Sequence, residues 1–571
     1  MQENLKYYLF NVCIETNVDV GDFIEPPKIP NPSDLTDVRK AATIVGDIIL
    51  NTESIIVLNF DGDADGILSG ALNHDYLING LGVSSKRIRL IGNSRVFGNG
   101  FNDKAVSLLS LFKESDLELG IMITSDHGSS DEPRYKYTKQ MIPEMKIVVT
   151  DHHLIPTNGN APKSVDAFIN TQRDEITPWG KNICGCVTTW LLMEEVKNYL
   201  IEKDYKKINY DAIENVKPML AISTICDMMD MRDIINRRIV IDGLEVLNKS
   251  KDPRWRTFRK KLKLKEISST DVGYKIGTLF NATGRMGVPD LGFTLATTND
   301  NMEECGELFE IVVNCNNERK KIQALLLIDA KKYVKENPLT HCNIALIKTA
   351  LEFEYATGVS GPISSNLLEL RKKPSVTLVE DKDGNLKGSV RSVEGIHVKK
   401  IFDNMDRVKP DLFIKYGGHA GAAGLEIRKK DLEYFRTAFD EGCGIAFKFR
   451  GRVSMDSSII KVLPRDLNVN LIDDIKMLEP FGRMFKQPEV CFNCTVTGKH
   501  TVSNGRDVIY TFEDFADKSV GKLQGYHYLG GMEATSTYEY VEVIATIGIK
   551  SYRGKEQLSI FIKSIKEDIP F

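Results

Sequence analysis

The stretch Leu58–Ser69, LNFDGDADGILS, joins an apolar run to a helical pattern through three aspartates. The preceding residues 54–60, SIIVLNF, are apolar and β-branched enough to form a buried strand. The aspartates Asp61, Asp63 and Asp65 then stand at alternate positions. Like charges so close together repel one another, and folding gains nothing from the crowding. A cation among the three carboxylates would explain why they stand together.

The composition predicts a globular protein with several domains. The chain has 571 residues, 42% of them hydrophobic and 27% charged, which is enough to bury more than one core. Its net charge is −4 at pH 7, so a polyanionic partner would need a local basic groove. The ten cysteines lack the spacing of a disulfide framework, and we find neither a signal peptide nor an apolar run of about 18 residues. We therefore expect a cytoplasmic protein without a membrane partner.

Further apolar runs alternate with helical segments after the opening stretch, which is typical of a parallel sheet wound with helices. Ligands of such sheets bind at the carboxyl ends of the strands. Asp126 ends one of these runs, and Asp151, His152 and His153 end another, while Asp227 closes a helical segment. These side chains are therefore expected to meet the first three aspartates. The runs concerned are RIRLIG at 87–92, ELGIMITSD at 118–126 and KIVVTDHH at 146–153.

Carboxylates combined with one or two imidazoles suit Mn²⁺ or Mg²⁺ better than Zn²⁺. Two such ions about 3.5–4 Å apart can hold the attacking and the leaving oxygen of a phosphoryl displacement. A single aspartate at a strand end is more often a helix cap or a turn residue. Acidic residues and histidines at successive strand ends favour a metal centre instead.

The ordered motifs resemble those of the DHH phosphoesterase superfamily. Its four motifs are matched by Asp61-x-Asp63-x-Asp65-Gly66, by Asp126, by Asp151-His152-His153 and by Asp227. Later segments resemble RecJ-type single-strand-specific exonucleases and their DHH-associated and OB domains. They are ICGCVTTWLL at 183–192, INRRIVIDGLEVLN at 235–248, NATGRMG at 281–287, GSVRS at 388–392, YGGHAGAAG at 416–424 and LEPFGRMFKQPEV at 478–490.

The resemblance implies a site of two Mn²⁺ or Mg²⁺ ions. Asp65 and Asp126 would lie between the ions, and Asp61 and His153 would act in catalysis beside them. Asn59 stands where many pyrophosphatase-like members carry a histidine, and RecJ-type members also lack that histidine, so the departure points toward the RecJ branch. The implied metal ligands are Asp63, Asp65, Asp126, His152 and Asp227.

The same resemblance implies a group of residues that binds the phosphates of the substrate. A guanidinium holds two phosphate oxygens at once, and glycines let the backbone approach a phosphate closely. The implied residues are Arg95, Arg285, Ser389, Arg391, Ser392, Gly417, Gly418 and His419.

We expect an α/β fold in four parts. These are a parallel-sheet DHH catalytic domain with an N-terminal extension at 1–300, a long helical linker at 301–337, a smaller α/β DHH-associated domain at 338–445 and an OB-like β-barrel at 446–571. Alternating patterns predict a small antiparallel barrel. Its aromatic candidates for base stacking, of which only a minority should contact DNA, are Tyr510, Phe512, Tyr526, Tyr528 and Tyr552. The lone pair Cys491 and Cys494 is interpreted as two thiols in a strand and not as a zinc site.

The resemblance implies an exonuclease that hydrolyses single-stranded DNA 5′→3′ to mononucleotides in recombination, repair or replication. One alternative is a DHH phosphodiesterase of short oligonucleotides or cyclic dinucleotides. Another is a catalytically retired single-strand-binding replication factor. The chain has no GxxxxGK[ST] phosphate loop, so any helicase would be a separate protein. A single-strand-binding protein is a further expected partner, and the chain is expected to be a monomer.

Overall fold

The protein is described from a computed structural model. The described residues are 2–94, 100–115, 117–156, 161–173, 175–347, 353–381, 383–418, 420–449, 458–502, 507–514, 521–528, 540–552 and 555–567. They form two compact units. The sheet unit comprises residues 30–227 and 239–453, and the barrel unit comprises residues 1–29, 228–238 and 454–571.

The helices, in chain order, are α1 (Glu3–Thr16), α2 (Val20–Ile24), α3 (Val38–Asn51), α4 (Ala64–Asp75), α5 (Asp103–Glu114), α6 (Glu132–Met141), α7 (Gly185–Glu202), α8 (Tyr210–Glu214), α9 (Lys217–Cys226), α10 (Ile234–Lys249), α11 (Pro253–Leu262), α12 (Ser269–Asp271), α13 (Gly277–Arg285), α14 (Pro289–Thr297), α15 (Met302–Glu336), α16 (Phe353–Arg371), α17 (Val398–Val408), α18 (Leu432–Phe449) and α19 (Val469–Lys476). The strands are β1 (Ile55–Phe60), β2 (Ile88–Gly92), β3 (Leu119–Ser125), β4 (Lys146–Asp151), β5 (Ala167–Asn170), β6 (Asn343–Ile347), β7 (Ser375–Glu380), β8 (Asn385–Arg391), β9 (Phe413–Gly418), β10 (Ala422–Arg428), β11 (Ile459–Lys461), β12 (Glu489–Val502), β13 (Asp507–Glu513), β14 (Leu523–His527), β15 (Tyr540–Tyr552) and β16 (Lys555–Glu567).

The first sheet of the sheet unit has five parallel strands in the order β2-β1-β3-β4-β5. All six residues of β1 are buried, as expected for a strand with helices on both faces. Phe60 pairs with Ser125, and Ser125 pairs with Thr150, so β1, β3 and β4 end at the same edge. The predicted parallel α/β sheet is confirmed, and the residues after these strands start from neighbouring positions.

A single helix of 35 residues, α15, leads from the first sheet to the second. At 1.5 Å per residue it is about 50 Å long. The predicted helical linker is therefore one continuous helix, and it packs against α11, α13, α14 and α16.

The second sheet of the sheet unit is mixed, with the order β6-β7-β8-β10-β9. Only the β6–β7 pairing is parallel, and the other pairings are antiparallel. Phe402 of α17 and Phe435 and Phe439 of α18 pack in one core cluster with this sheet. Apolar residues of α15 and α16 form a second cluster with it. The smaller α/β domain is thus present.

The barrel unit contains a closed ring of five strands in the order β12-β13-β14-β16-β15, closed by the β12–β15 pairing. The expectation of an antiparallel barrel holds for four pairings, whereas β14 and β16 run parallel. The short strand β11 adds to β12 in parallel. Cys491 and Cys494 lie buried in β12, as predicted for thiols outside a zinc site.

Arg237 joins the three chain segments of the barrel unit. Its buried guanidinium stacks on the ring of Phe23 at 3.9 Å. It donates hydrogen bonds to backbone carbonyls of all three segments, namely those of Phe23, Met231, Leu478, Glu479 and Pro480. Because a buried arginine without these acceptors would be costly, Arg237 fixes how the N-terminal helices meet the barrel.

No helix among the described residues is both long and apolar enough to cross a membrane.

Candidate metal centre

The loop after β1 places the first three aspartates at the start of α4. Asp63 is the N-cap of α4 and accepts hydrogen bonds from the amides of Asp65 and Gly66 at 3.2 and 3.3 Å. The simple interpretation of an aspartate as a helix cap is therefore correct for Asp63. The cap also fixes the loop so that Asp61 and Asp63 have carboxylate oxygens within 4.8 Å of one from Asp126.

Asp65 lies buried at the N-terminus of a second helix. Its two carboxylate oxygens accept hydrogen bonds from the amides of Gly185 and Cys186 at 2.7 and 3.0 Å. These are the first residues of α7, whose N-terminal amides and dipole favour a negative charge. Sequence reasoning missed this contact, because backbone amides leave only an indirect signal, the small residue at position 185.

Asp126 follows β3 with a φ of 63°, in the left-handed region that aspartate tolerates better than most residues. Its side chain points back into the site and is 3% exposed. A methyl group on Gly185 would overlap its carboxylate. The small residue at the start of α7 therefore makes room for Asp126 as well as binding Asp65.

His152 stands between three carboxylates. Its Nε2 atom lies 3.3 Å from Asp126 Oδ1, 3.3 Å from Asp227 Oδ2 and 3.8 Å from Asp65 Oδ2. Asp227 reaches this position from the C-cap of α9. Ligand atoms within 4.8 Å of one another form three overlapping groups, namely Asp65 with His152 and Asp227, Asp61 with Asp63 and Asp126, and Asp126 with His152 and His153.

Asp151 has a different position from the other acidic residues of the site. Its Oδ1 accepts hydrogen bonds from the amides of His152 and His153 and, at 2.8 Å, from Nδ1 of His153. Its Oδ2 accepts from the amide and hydroxyl of Ser129 at 2.9 and 2.6 Å. Both oxygens are thus occupied within the protein, and Asp151 orients His153.

The electrostatics of the site call for a cation. Burial, reinforced by Asp65 and Asp63, raises the pKa of Asp126 well above its usual range. Burial also raises the pKa of Asp227 to about 7, although His152 opposes the shift. Asp126 Oδ1 and His152 Nε2 are buried and make no hydrogen bond to any described residue. Buried acceptor atoms without a hydrogen-bond donor are costly, and the surrounding carboxylates repel one another. A divalent ion with oxygen and imidazole ligands would remove both costs.

The surroundings of His153, in contrast to those of Asp126 and Asp227, favour the charged form of its side chain. Desolvation by the surrounding protein would lower its pKa, although the ring is 60% exposed, but the hydrogen-bonded carboxylate of Asp151 outweighs this and raises the pKa. In return, although burial opposes the change, His153 holds the pKa of Asp151 below its usual range. Both shifts favour an imidazolium–carboxylate pair, in which His153 Nδ1 would donate to Asp151.

Arg285 lies next to the metal centre at the end of α13. A methyl group on Gly284 would overlap the carbonyl oxygen of Gly62, so α13 packs directly on the loop of the three aspartates. Asn281 of the same helix accepts a hydrogen bond from the amide of Ala64 at 3.2 Å. The segment NATGRMG thus holds the loop and places Arg285 beside it.

Helix α16 connects Arg285 with the predicted phosphate residues of the second sheet. Arg285 donates a 3.0 Å hydrogen bond to the carbonyl of Gly358. The hydroxyls of Ser360 and Ser389 are 2.9 Å apart. A methyl group on Gly361 would lie 2.9 Å from a guanidinium nitrogen of Arg391. Sequence reasoning did not identify this helix, whose only signal is the small-residue run GVSG.

The remaining residues that were predicted to bind phosphates fall into three groups. Gly417 and Gly418 of β9 pair with Gly424 and Ala423 of β10, which in turn pair with Ser389 and Val390 of β8. The structure thus brings the glycines to the same edge as Ser389 and Arg391. The hydroxyl of Ser392 donates to the carbonyl of Ile396 at 2.9 Å, so its proton is already used. Arg95 and His419 lie outside the described residues.

An aromatic residue of the barrel can stack on a base only if its ring is exposed. Tyr510 and Phe512 are buried in the barrel core. Tyr528 is 60% exposed, and its ring contacts Tyr526 edge to face with centroids 4.6 Å apart. The side chain of Tyr552 lies outside the described part of the structure.

Comparison with known proteins agrees with this arrangement of domains. The model of the DHH family, N-terminal domain, matches residues 53–218, the DHHA1 domain matches residues 343–443 and the RecJ OB domain matches residues 460–564. The single-stranded-DNA-specific exonuclease RecJ of Haemophilus influenzae is 25% identical over 483 residues, covering 81% of this chain and 78% of that protein. The protein of the same name from Escherichia coli is 25% identical over 463 residues, covering 80% of this chain and 77% of that protein.

Solved structures share the fold. The crystal structure of RecJ in complex with Mn²⁺ from Thermus thermophilus superposes with a TM-score of 0.73 at 19% identity, covering 99% of this chain and 76% of that one. The structure of that protein with Mg²⁺ gives a TM-score of 0.69 at 18% identity, with coverages of 99% and 75%.

The order of domains and the acidic site together define a phosphoesterase of the DHH family, and the chain belongs to that family. Its DHHA1 and OB domains further place it among the RecJ-type members.

Proposed function

We propose that this chain is a metal-dependent exonuclease that hydrolyses single-stranded DNA, 5′→3′ to mononucleotides, in recombination, repair or replication. The observation that carries the proposal is the convergence of carboxylates and imidazoles at the edge where β1, β3 and β4 end. The names of the RecJ relatives support the substrate class.

The proposed ligands of two Mn²⁺ or Mg²⁺ ions are Asp63, Asp65, Asp126, His152 and Asp227. When bound there, such ions supply positive charge to the scissile phosphate and lower the barrier to attack by water. The amides of Gly185 and Cys186 at the start of α7 hold the carboxylate of Asp65 in place. Asp61, which shares a group with Asp63 and Asp126, completes the acidic wall of the site.

His153 is proposed to act on the substrate and not as a ligand. Its Nδ1 is engaged with Asp151, and the imidazole is 60% exposed. An imidazolium oriented in this way can donate a hydrogen bond from Nε2 to a phosphate oxygen. Asp151 would therefore act through His153, as a positioning residue.

The exonuclease character is assigned to the cluster formed by Arg285, Ser389 and Arg391 around α16. A terminal phosphate carries more charge than an internal diester, and forked guanidinium donors match its additional oxygens. Such a cluster beside the metal loop favours strands with an end. The barrel would contribute to strand binding through exposed aromatics such as Tyr528.

We propose a monomer in the cytoplasm that works with a separate helicase and a single-strand-binding protein. The helicase follows from the chemistry of the reaction, since a single strand has to be produced before it is degraded.

A panel of substrates tests the proposal. Linear single-stranded DNA should be degraded with Mn²⁺ or Mg²⁺, whereas circular single strands and blunt duplexes should resist. Preferential cleavage of cyclic dinucleotides or very short oligonucleotides would instead support the phosphodiesterase. If the chain binds single strands but neither cleaves them nor binds metal measurably, the result would support a retired binding factor.

A further inference from the structure

The most basic segment of the chain lies outside the site described above. Between positions 249 and 265 the protein has nine lysines and arginines and one acidic residue, Asp252, although its net charge is −4. The segment covers the end of α10, all of α11 and the turn that follows. Its basic residues are Lys249, Lys251, Arg254, Arg256, Arg259, Lys260, Lys261, Lys263 and Lys265.

Several of these cations have structural partners. Arg254 is buried and pairs with Asp75 at 2.5 Å and with Asp252 at 2.9 Å. Lys261 pairs with Glu310 of α15 at 2.8 Å. These contacts hold α11 in place, but they neutralise only part of the positive charge of the segment.

Four of the other cations surround a surface depression between α11 and the start of α15. Its lining residues are Arg256, Arg259, Lys260, Leu264, Lys265 and Met302. Arg256, Lys260 and Lys265 are exposed, and none of them pairs with a carboxylate of the described residues. Glu303 and Glu304 follow Met302 in the first turn of α15, but neither lines the depression.

Arg259 forms the inner wall of the depression. It donates hydrogen bonds to the carbonyls of Leu247 and Ser250, so its guanidinium is held without an opposing charge. Burial and the neighbouring Arg256 lower its pKa. Like charges held together in a concave surface attract an anion, as the carboxylates of the metal centre attract a cation.

The basic surface is also rigidly connected to the metal centre. Helix α4 begins beside Asp63 and ends at Asp75, and Asp75 binds Arg254 of α11. The ten residue steps from Asp65 to Asp75 span about 15 Å along the helix. A strand held at α11 would thus be held at a fixed distance from the bond that is cut.

We propose that the depression lined by Arg256, Arg259, Lys260 and Lys265 is a second phosphate-binding site, which holds the backbone of the single strand outside the metal centre. The inference rests on the proposed function for the identity of the polyanion. Because such a site contacts phosphates and not bases, it adds affinity for long strands without sequence preference.

The test is a charge reversal of the three exposed cations, with the substitutions Arg256→Glu, Lys260→Glu and Lys265→Glu combined. The matched control combines Lys331→Glu, Lys332→Glu and Lys335→Glu, which are positions on α15 with the same change in charge. Binding of a 5-nucleotide and a 40-nucleotide single strand is measured in chelator over a range of salt concentrations.

The site predicts at least about tenfold weaker binding of the 40-nucleotide strand by the first variant. Its dependence of log affinity on log salt should also be less steep by about 2, since each phosphate contact on a single strand contributes about 0.7. Binding of the 5-nucleotide strand should be unchanged. Equal behaviour of the two variants, or an equal loss on both strands, would overturn the inference.

Arg256→Gln, Lys260→Gln and Lys265→Gln combined, with an unchanged melting temperature, should give a smaller loss of the same kind. If binding is lost only in those variants whose melting temperature is lowered, the loss reflects unfolding, and this result would also count against the site. If the proposed function is wrong, the unmodified chain will not degrade the linear strand at all. This result is distinct from a difference in binding between the variants.

Discussion

The backbone amide of Gly185 donates a 2.7 Å hydrogen bond to the carboxylate of Asp65. The same glycine lies so close to Asp126 that a side chain would overlap its carboxylate. The N-terminus of α7 thus holds one acidic residue of the site and makes room for a second.

Gly185→Ala should therefore weaken metal binding and slow cleavage, because the added methyl group displaces Asp126 or α7. A displacement of this kind costs about 1–3 kcal/mol, which corresponds to a loss of about five- to a hundredfold. Titration with Mn²⁺ and kcat on a short strand measure it. Gly273→Ala is the matched control, since a methyl group there makes only an ordinary contact with Ile225 at 3.5 Å. Equal metal affinity in the two variants would contradict the assignment.

Asp126→Asn should lower kcat by about 10²–10⁴-fold, since the ions stabilise the transition state by several kcal/mol. Asparagine tolerates the left-handed backbone at this position, so the fold should persist. In chelator the variant should even be more stable, by about 1–4 kcal/mol, because a repelling carboxylate is removed. Urea unfolding of both proteins in chelator measures this, and lower stability of the variant would argue against a repulsive cluster.

Arg391→Ala should remove a preference for 5′-phosphorylated strands over 5′-hydroxyl strands. Loss of one charged hydrogen-bonding partner costs about 1.5–3 kcal/mol, or about ten- to a hundredfold in kcat/KM. Arg371→Ala, at the exposed end of α16, is the control. If Arg391→Ala slows both kinds of end equally, the cluster at α16 does not recognise the terminal phosphate.

Tyr528→Ala should weaken binding of long single strands by about 1–3 kcal/mol without changing stability, because an exposed ring can stack on a base. Phe512→Ala should instead destabilise the barrel by about 3–5 kcal/mol, since this side chain is completely buried. Fluorescence anisotropy and thermal unfolding separate the two effects. A barrel in which Tyr528→Ala binds a long strand normally does not use this ring for DNA.

The sequence predicted well those features that depend on the residues of one short segment. The strand before Asp61 and the helix α15 follow from apolar periodicity, and the acidic residues follow from their position after strands. The contact of Asp65 with α7 could not be predicted in this way, because its donors are backbone amides 120 residues away in the sequence. The position of Ser360 beside Ser389 likewise depends on how α16 packs on the second sheet.

Arg237 illustrates the same limit in the barrel unit. A double arginine in a helical pattern usually indicates a solvated surface, yet Arg237 is fully buried among carbonyls of three segments. Its environment arises only when residues far apart in the sequence meet.

A time course on a 5′-labelled linear single strand shows whether the acidic site cleaves single strands from their 5′ end with bound metal. With Mn²⁺ or Mg²⁺ the label should appear as mononucleotide from the earliest times, and chelator or Asp126→Asn should stop its release. Release that persists in chelator would show that cleavage needs no bound metal, and a label that first appears in long fragments would show that cleavage does not begin at the 5′ end.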